Sequence, residues 1–120
     1  MSLKKRLQAA RQRWIEAQHE DIPGLELCIQ RPTEAELHGF LGMSAEAIAR
    51  HCAQNCVVDW RGITEADLLP AVGADEAVAF DVELYRDWVS DHVAVMRRVS
   101  NEVAADIDAF LQRREAAAGK

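Results

Sequence analysis

Cys56-Val57-Val58-Asp59-Trp60-Arg61-Gly62-Ile63-Thr64 is the stretch whose reading decides the fold. Cys56, Val58 and Trp60 fall on one face of an extended chain and Val57, Asp59 and Arg61 on the other, the period of a half-buried strand. Gly62 punctuates its end. A second extended apolar piece, Ala77-Val78-Ala79-Phe80-Asp81, follows after an acidic loop. The two are expected to pair, with Val58 and Trp60 inward and Asp59 and Arg61 outward, as a small β element clamped between helices.

Helical spacing dominates on both sides of this element. Upstream, Leu3, Leu7, Ala10, Trp14 and Ala17 share one stripe, which predicts a basic amphipathic helix over residues 3–18, within a basic segment 1–20. Pro23-Gly24 ends it, and Leu25, Leu27 and Ile29 alternate with Glu26, Cys28 and Gln30 as a strand. Arg31-Pro32-Thr33 closes that strand, since proline holds its predecessor extended, and Thr33 with Glu36 forms a capping box for the next helix. That helix is expected to bury Leu37, Phe40 and Leu41 and to break near Gly42. Ser44 caps another, with Ala45, Ile48, Cys52 and Cys56 inward; a single bent helix over residues 34–55 is the alternative.

Downstream, Thr64 with Asp67 caps one short turn that Pro70 ends. Asp81 caps the longest helical region, whose inner stripe is Tyr85, Trp88, His92, Val95 or Met96, Val99, Val103, Ile107 and Phe110. One uninterrupted helix here would be about 50 Å long at ~1.5 Å per residue, so a break near Ser90-Asp91 is expected, with one of those two as the second cap. Residues 115–120 are expected to fray. The fold class is therefore mainly α with a small β element, four to six helices around a hairpin or a two- to three-stranded sheet, in a single domain over residues 1–120.

Composition narrows the function. With 49% hydrophobic and 28% charged residues the chain is of ordinary globular type. No apolar run reaches the ~18 residues a membrane span needs, and the charged N-terminus lacks a signal-peptide core, so the expected location is the cytoplasm. Three cysteines, an odd number, point to reduced thiols. The net charge of -6 makes nucleic acid an unfavoured ligand. The charge is also polarised: residues 1–13 hold Lys4, Lys5, Arg6, Arg11 and Arg13 and no acid, whereas residues 59–91 hold nine acids against Arg61 and Arg86. Such asymmetry steers association with a charged partner or with further copies of the chain.

Candidate chemistry is sparse. Cys52 and Cys56, one helical turn apart, with His38 from the preceding helix, have the residue types of a zinc site, although both thiols also fall at core positions. A cysteine nucleophile with His51 or His38 as base lacks an activating environment. His92 lies in the apolar stripe, as a hydrogen-bonded or helix-initiating residue rather than a base. Asp87/Asp91 and Glu83/Asp87 form helical pairs without a cation-binding loop around them. No phosphate-cradling glycine loop, dinucleotide fingerprint, nucleophile elbow or zincin motif is present. The expectation is a non-enzymatic protein with no catalytic residue and no cofactor. Trp14, Trp60 and Trp88 all occupy core-type positions, where exposure would instead mark a contact surface.

Strand, Arg31-Pro32-Thr33, helices, then Val57-x-x-Trp60-x-Gly62-Ile63 followed by Val78-x-Phe80 opening a helix with Trp88 resembles the small tail assembly chaperones and tail accessory proteins of long-tailed bacteriophages and prophages. The resemblance spans residues 25–90 and leaves out the basic N-terminal segment and the end of the chain. It implies a protein of the bacterial cytoplasm that binds the tape measure protein, recruits tail tube subunits, and oligomerises around an extended helical client. The alternative is a helical protein- or nucleic-acid-interaction module of a bacterial host, touching phosphate through residues 4–13.

Overall fold

A computed structural model describes residues 1–119. Within them six helices surround a three-stranded antiparallel sheet of order β1-β2-β3: α1 Leu3–Ala9, β1 Gln12–Glu16, β2 Glu26–Gln30, α2 Glu34–His38, α3 Ala45–Asn55, β3 Val57–Arg61, α4 Glu65–Leu68, α5 Val82–Ser90 and α6 Val93–Ala118. The mainly α class with a small sheet is the one the patterning predicts.

Local signals set most boundaries. Thr33 and Thr64 each close a capping box, with Glu36 and Asp67 respectively, and Ser44 and Asp81 each accept a backbone N–H at the start of their helices. Gly42, at φ +86°, separates α2 from α3, so the bent-helix alternative falls away. Leu41 and Ala45 are not inward as expected: α2 ends at His38, which leaves Leu41 in the link beyond it at 73% exposure, and Ala45 in the first turn of α3 is exposed. The long region breaks after Ser90 as expected, but neither Ser90 nor Asp91 caps α6. His92 occupies the cap position without a side-chain bond, and the Ser90 hydroxyl donates back to the Arg86 carbonyl at 2.6 Å. Helix α6 continues through Ala118 rather than fraying from Glu115; Lys120 lies outside the described residues.

The first correction concerns residues 12–16. They form β1, not the second half of a helix, and α1 stops at Ala9. Helix-spaced Leu3 and Leu7 remain exposed, at 77% and 63%, so the upstream stripe has no core to bury against. Ile15 and Ala17, two apart, are instead both buried beneath the sheet. Pairing with β2 places Arg13 opposite Ile29, Trp14 opposite Cys28 and Ile15 opposite Leu27. The alternation that competes with the helical stripe thus wins, because a strand at this position satisfies the free edge of β2.

A second correction follows in β3. Ile29 pairs with Val57 but Cys28 pairs with Asp59, which leaves Val58 as the extra residue of a bulge. The bulge changes the phase of the strand. Val57 and Trp60 both point inward, at 2% and 4% exposure, while Val58 is only half-buried. Residues 77–80 are not a strand paired with β3. They attach beyond its end, through a bridge between Thr64 and Ala77 and a bond from the Val78 N–H to the Ile63 carbonyl.

The core lies between the inner sheet face and helices α3, α5 and α6. Ile15, Leu27, Ile29, Val57 and Trp60 from the sheet meet Cys52, Tyr85, Trp88, Val89, Val95, Val99 and Val103. The stripe from Tyr85 to Val103 is therefore the helical half of the core, with Ile107 partly buried at its edge. At the sheet rim, Arg13 fastens β1 to α6 by ion pairs to Glu102 and Asp106 at 2.5 and 2.9 Å. Those bonds hold the Glu102 carboxyl below its ordinary value, the Arg13 hydrogen bond being the largest cause. On the outer face, Arg61 pairs with Glu26 across the strands and covers Trp14, its guanidinium 4.0 Å from the ring centre. Trp14 is 36% exposed, not a core residue.

Candidate functional site

The helices that close the core leave a groove on their other side. On α3, Ala45, Ala49 and Ala53 recur every four residues, and on α6, Ser100 and Ala104 do the same. Such small side chains cannot fill the space between two cylinders. Two adjoining depressions result, of about 260 and 560 Å³, both lined by Ala49 and Ser100. Ile48 and Ile107 form the apolar wall of the smaller, and Glu46, Arg50, Val93, Met96 and Arg97 rim the larger. The arrangement is a channel with an apolar floor and charges of both signs at its edge. Chemically it can accept an apolar ridge.

Val57, Trp60, Ile63, Val78, Phe80 and Trp88 come together at one joint rather than in this groove. Trp60 donates from Nε1 to the Val78 carbonyl at 2.8 Å and meets Phe80, Tyr85 and Trp88 edge-on, with ring centres 5.6, 6.2 and 6.1 Å apart. Tyr85 in turn donates to the Ala53 carbonyl at 2.7 Å, and burial pushes its phenol well above the ordinary tyrosine range. Ile63 and Val57 are buried beside them. Gly62 makes the turn at φ +78° directly against Gly24. Arg31, Pro32 and Thr33 sit elsewhere, at the exit of β2. The motif is thus a packing unit that joins β3 to α5 and, through Ala53, to the back of the groove.

The zinc candidates do not assemble. Among the described residues no group of three or more His, Cys, Asp or Glu could hold a metal ion, so His38 does not join Cys52 and Cys56. Both cysteines are buried at core positions. Hydrogen bonding to Cys52, then burial, raises Cys56 far above the ordinary thiol range, which leaves it a packing group rather than a nucleophile.

One cluster has no local signal in the sequence. His19 and His92, 73 residues apart, share a hydrogen bond of 3.0 Å between Nε2 and Nδ1. The backbone N–H of Asp21 donates to His19 Nδ1, so Nε2 of a neutral His19 is the donor and His92 Nδ1 the acceptor. Gln18 takes φ +56° to aim His19 this way, a conformation few non-glycine residues adopt. Trp88 stacks on His92 at 4.4 Å and closes one side of a 480 Å³ cleft lined also by Ile22, Leu68 and Pro70. Reading residues 3–18 as helix concealed it, because the loop that carries His19 then has no place beside α6.

Burial first, and the neighbouring His19 second, lower the His92 pKa below 6.5; Asp91 and Asp21 oppose this weakly. A depressed histidine favours the neutral form when folded, so its contribution to stability is complete above pH 6.5 and is lost as the pH falls from there through the folded value. Urea midpoints are expected to drop across that window, and to drop less in His92→Gln. An equal drop in both proteins contradicts the assignment.

No protein-family model, curated protein or solved structure matches the chain. Among the described residues no helix is long and apolar enough to cross a membrane.

Proposed function

We propose that the protein is a non-enzymatic assembly chaperone of a long-tailed bacteriophage or prophage, which holds a helical segment of the tape measure protein in the groove between α3 and α6. The observation that carries this reading is the floor of the groove: Ala45, Ala49, Ala53, Ser100 and Ala104 let a third helix approach closely. An amphipathic client lays its apolar ridge on that floor and its charged flanks against Glu46, Arg50 and Arg97, the mode by which helices dock in grooves. The resemblance of Val57, Trp60, Gly62, Ile63, Val78 and Phe80 to the tail chaperones supplies the identity of the client. An extended client offers its ridge repeatedly, so several copies of the chain line up along it and present their outer faces to tail tube subunits.

Co-expression with the tape measure protein of the same gene cluster, followed by size-exclusion chromatography, tests the proposal. The two are expected to co-elute, and Ser100→Trp, which fills the groove from a half-buried position, is expected to weaken binding tenfold or more, about 1.4 kcal/mol. Absence of co-elution, or equal binding by Ser100→Trp, sinks it.

A further inference from the structure

A different surface holds charge that the fold does not use. Residues Ala10–Arg13, Arg31 at the exit of β2, and Asp106, Ala109 and Arg113 on one face of α6 surround a pocket of about 170 Å³. Four arginines, Arg11, Arg13, Arg31 and Arg113, line it with a single acidic residue, Asp106. That carboxylate is already engaged by Arg13. Arg11, Arg31 and Arg113 have no carboxylate partner among the described residues, as is also true of Arg6, Arg50, Arg86 and Arg97; what sets the three apart is that they converge on one pocket.

Three observations distinguish this pocket from a solvated basic face. The Arg11 Nε is buried and has no hydrogen-bond partner, which is rare for a native side chain. Arg31 is held in place: its Nη1 donates to the Pro32 carbonyl at 2.7 Å and its guanidinium lies 3.8 Å from the centre of the Phe110 ring. Its pKa is lowered, first by burial and then by repulsion from Arg11 and Arg113, with Asp106 opposing, so the like charges are close enough to act on each other. Ala109 has no side chain beyond Cβ to fill the space between them.

We propose that Arg11, Arg31 and Arg113 form a binding site for one compact tetrahedral oxyanion, the phosphate group of a small molecule or inorganic phosphate itself. The pocket far exceeds the ~10–15 Å³ that holds one water and falls below the ~300 Å³ at which pockets for whole organic ligands begin. A phosphate group matches that size, and its oxygens suit the forked geometry of arginine. Bound there, it would separate three mutually repelling charges. Arg31, adjacent to the helix cap of Thr33, acquires a role that the capping motif beside it does not explain.

Thermal denaturation of the full chain in sodium phosphate and in sodium chloride at equal ionic strength provides the test, with titration calorimetry using inorganic phosphate as the direct measure. Phosphate is expected to raise the Tm above that in chloride. Arg113→Gln, an exposed position on α6, is expected to abolish the difference and to weaken phosphate binding tenfold or more, with Arg113→Lys intermediate. No difference between the salts, or the same difference in Arg113→Gln, overturns the proposal. Titration with a short single-stranded oligonucleotide separates the sources: binding to it that is lost in Arg113→Gln, with inorganic phosphate inert, would assign the arginines to a nucleic-acid backbone instead and also overturn the pocket.

Discussion

Gly62→Ala is expected to lose about 3–5 kcal/mol of stability, a large share of the ~5–15 kcal/mol that holds a domain of this kind together. Two costs combine. At φ +78° any L side chain is strained, by roughly 1–2 kcal/mol. The added Cβ would also stand 2.0 Å from the Gly24 carbonyl oxygen and 2.8 Å from its carbon, and these are backbone atoms that cannot rotate away. The loop between β1 and β2 must move, and with it the chain that carries His19 and Leu25. Gly24→Ala is the matched control, since a Cβ there meets nothing within 4 Å. It is expected to stay within about 0.5 kcal/mol of the parent. Urea unfolding of both variants checks the pair; similar losses in the two would mean that the close approach of residues 24 and 62 is not made in solution.

Trp60→Ala is expected to cost about 3–5 kcal/mol, the range for deleting a buried aromatic side chain. Trp60 is 4% exposed, lies between the sheet and α5, and has Phe80, Tyr85 and Trp88 edge-on around it. Its removal leaves a cavity that three aromatic rings cannot close without leaving their rotamers. It also frees the Val78 carbonyl, which anchors the otherwise irregular segment 77–80. Trp60→Phe separates the two effects: it keeps most of the packing and loses the 2.8 Å bond, for about 1–2 kcal/mol. A Trp60→Ala variant that melts within a few degrees of the parent would contradict the joint's structural role.

The extent to which these features are legible in the sequence depends on how local their causes are. Thr33 with Glu36, Ser44, Thr64 with Asp67, and Asp81 announce helix starts because each satisfies backbone donors within three residues of itself. The stripe through Tyr85, Val99 and Val103 is read for the same reason. Residues 12–16 carry both a helical and an alternating pattern, and only the free edge of β2 decides between them. The bulge at Val58 is likewise set by the register against Cys28 and Ile29, not by residues 56–61 alone. Sites built across the chain are harder still. His19 with His92, and Arg11 with Arg31 and Arg113, are brought together by β1 lying where a helix was expected. The groove floor does show in the sequence, as Ala45, Ala49 and Ala53, but its meaning depends on which face α6 presents.

The account's central claim is that the α3–α6 groove receives a client helix, and mapping amide chemical shifts during titration with the helical segment of the tape measure protein tests it most directly. Shifts concentrated at Ala49, Ala53, Ser100 and Ala104, absent in Ser100→Trp, are the predicted result. Shifts that avoid these residues and fall on the outer sheet face around Trp14 and Arg61, or no shifts at all, would contradict it.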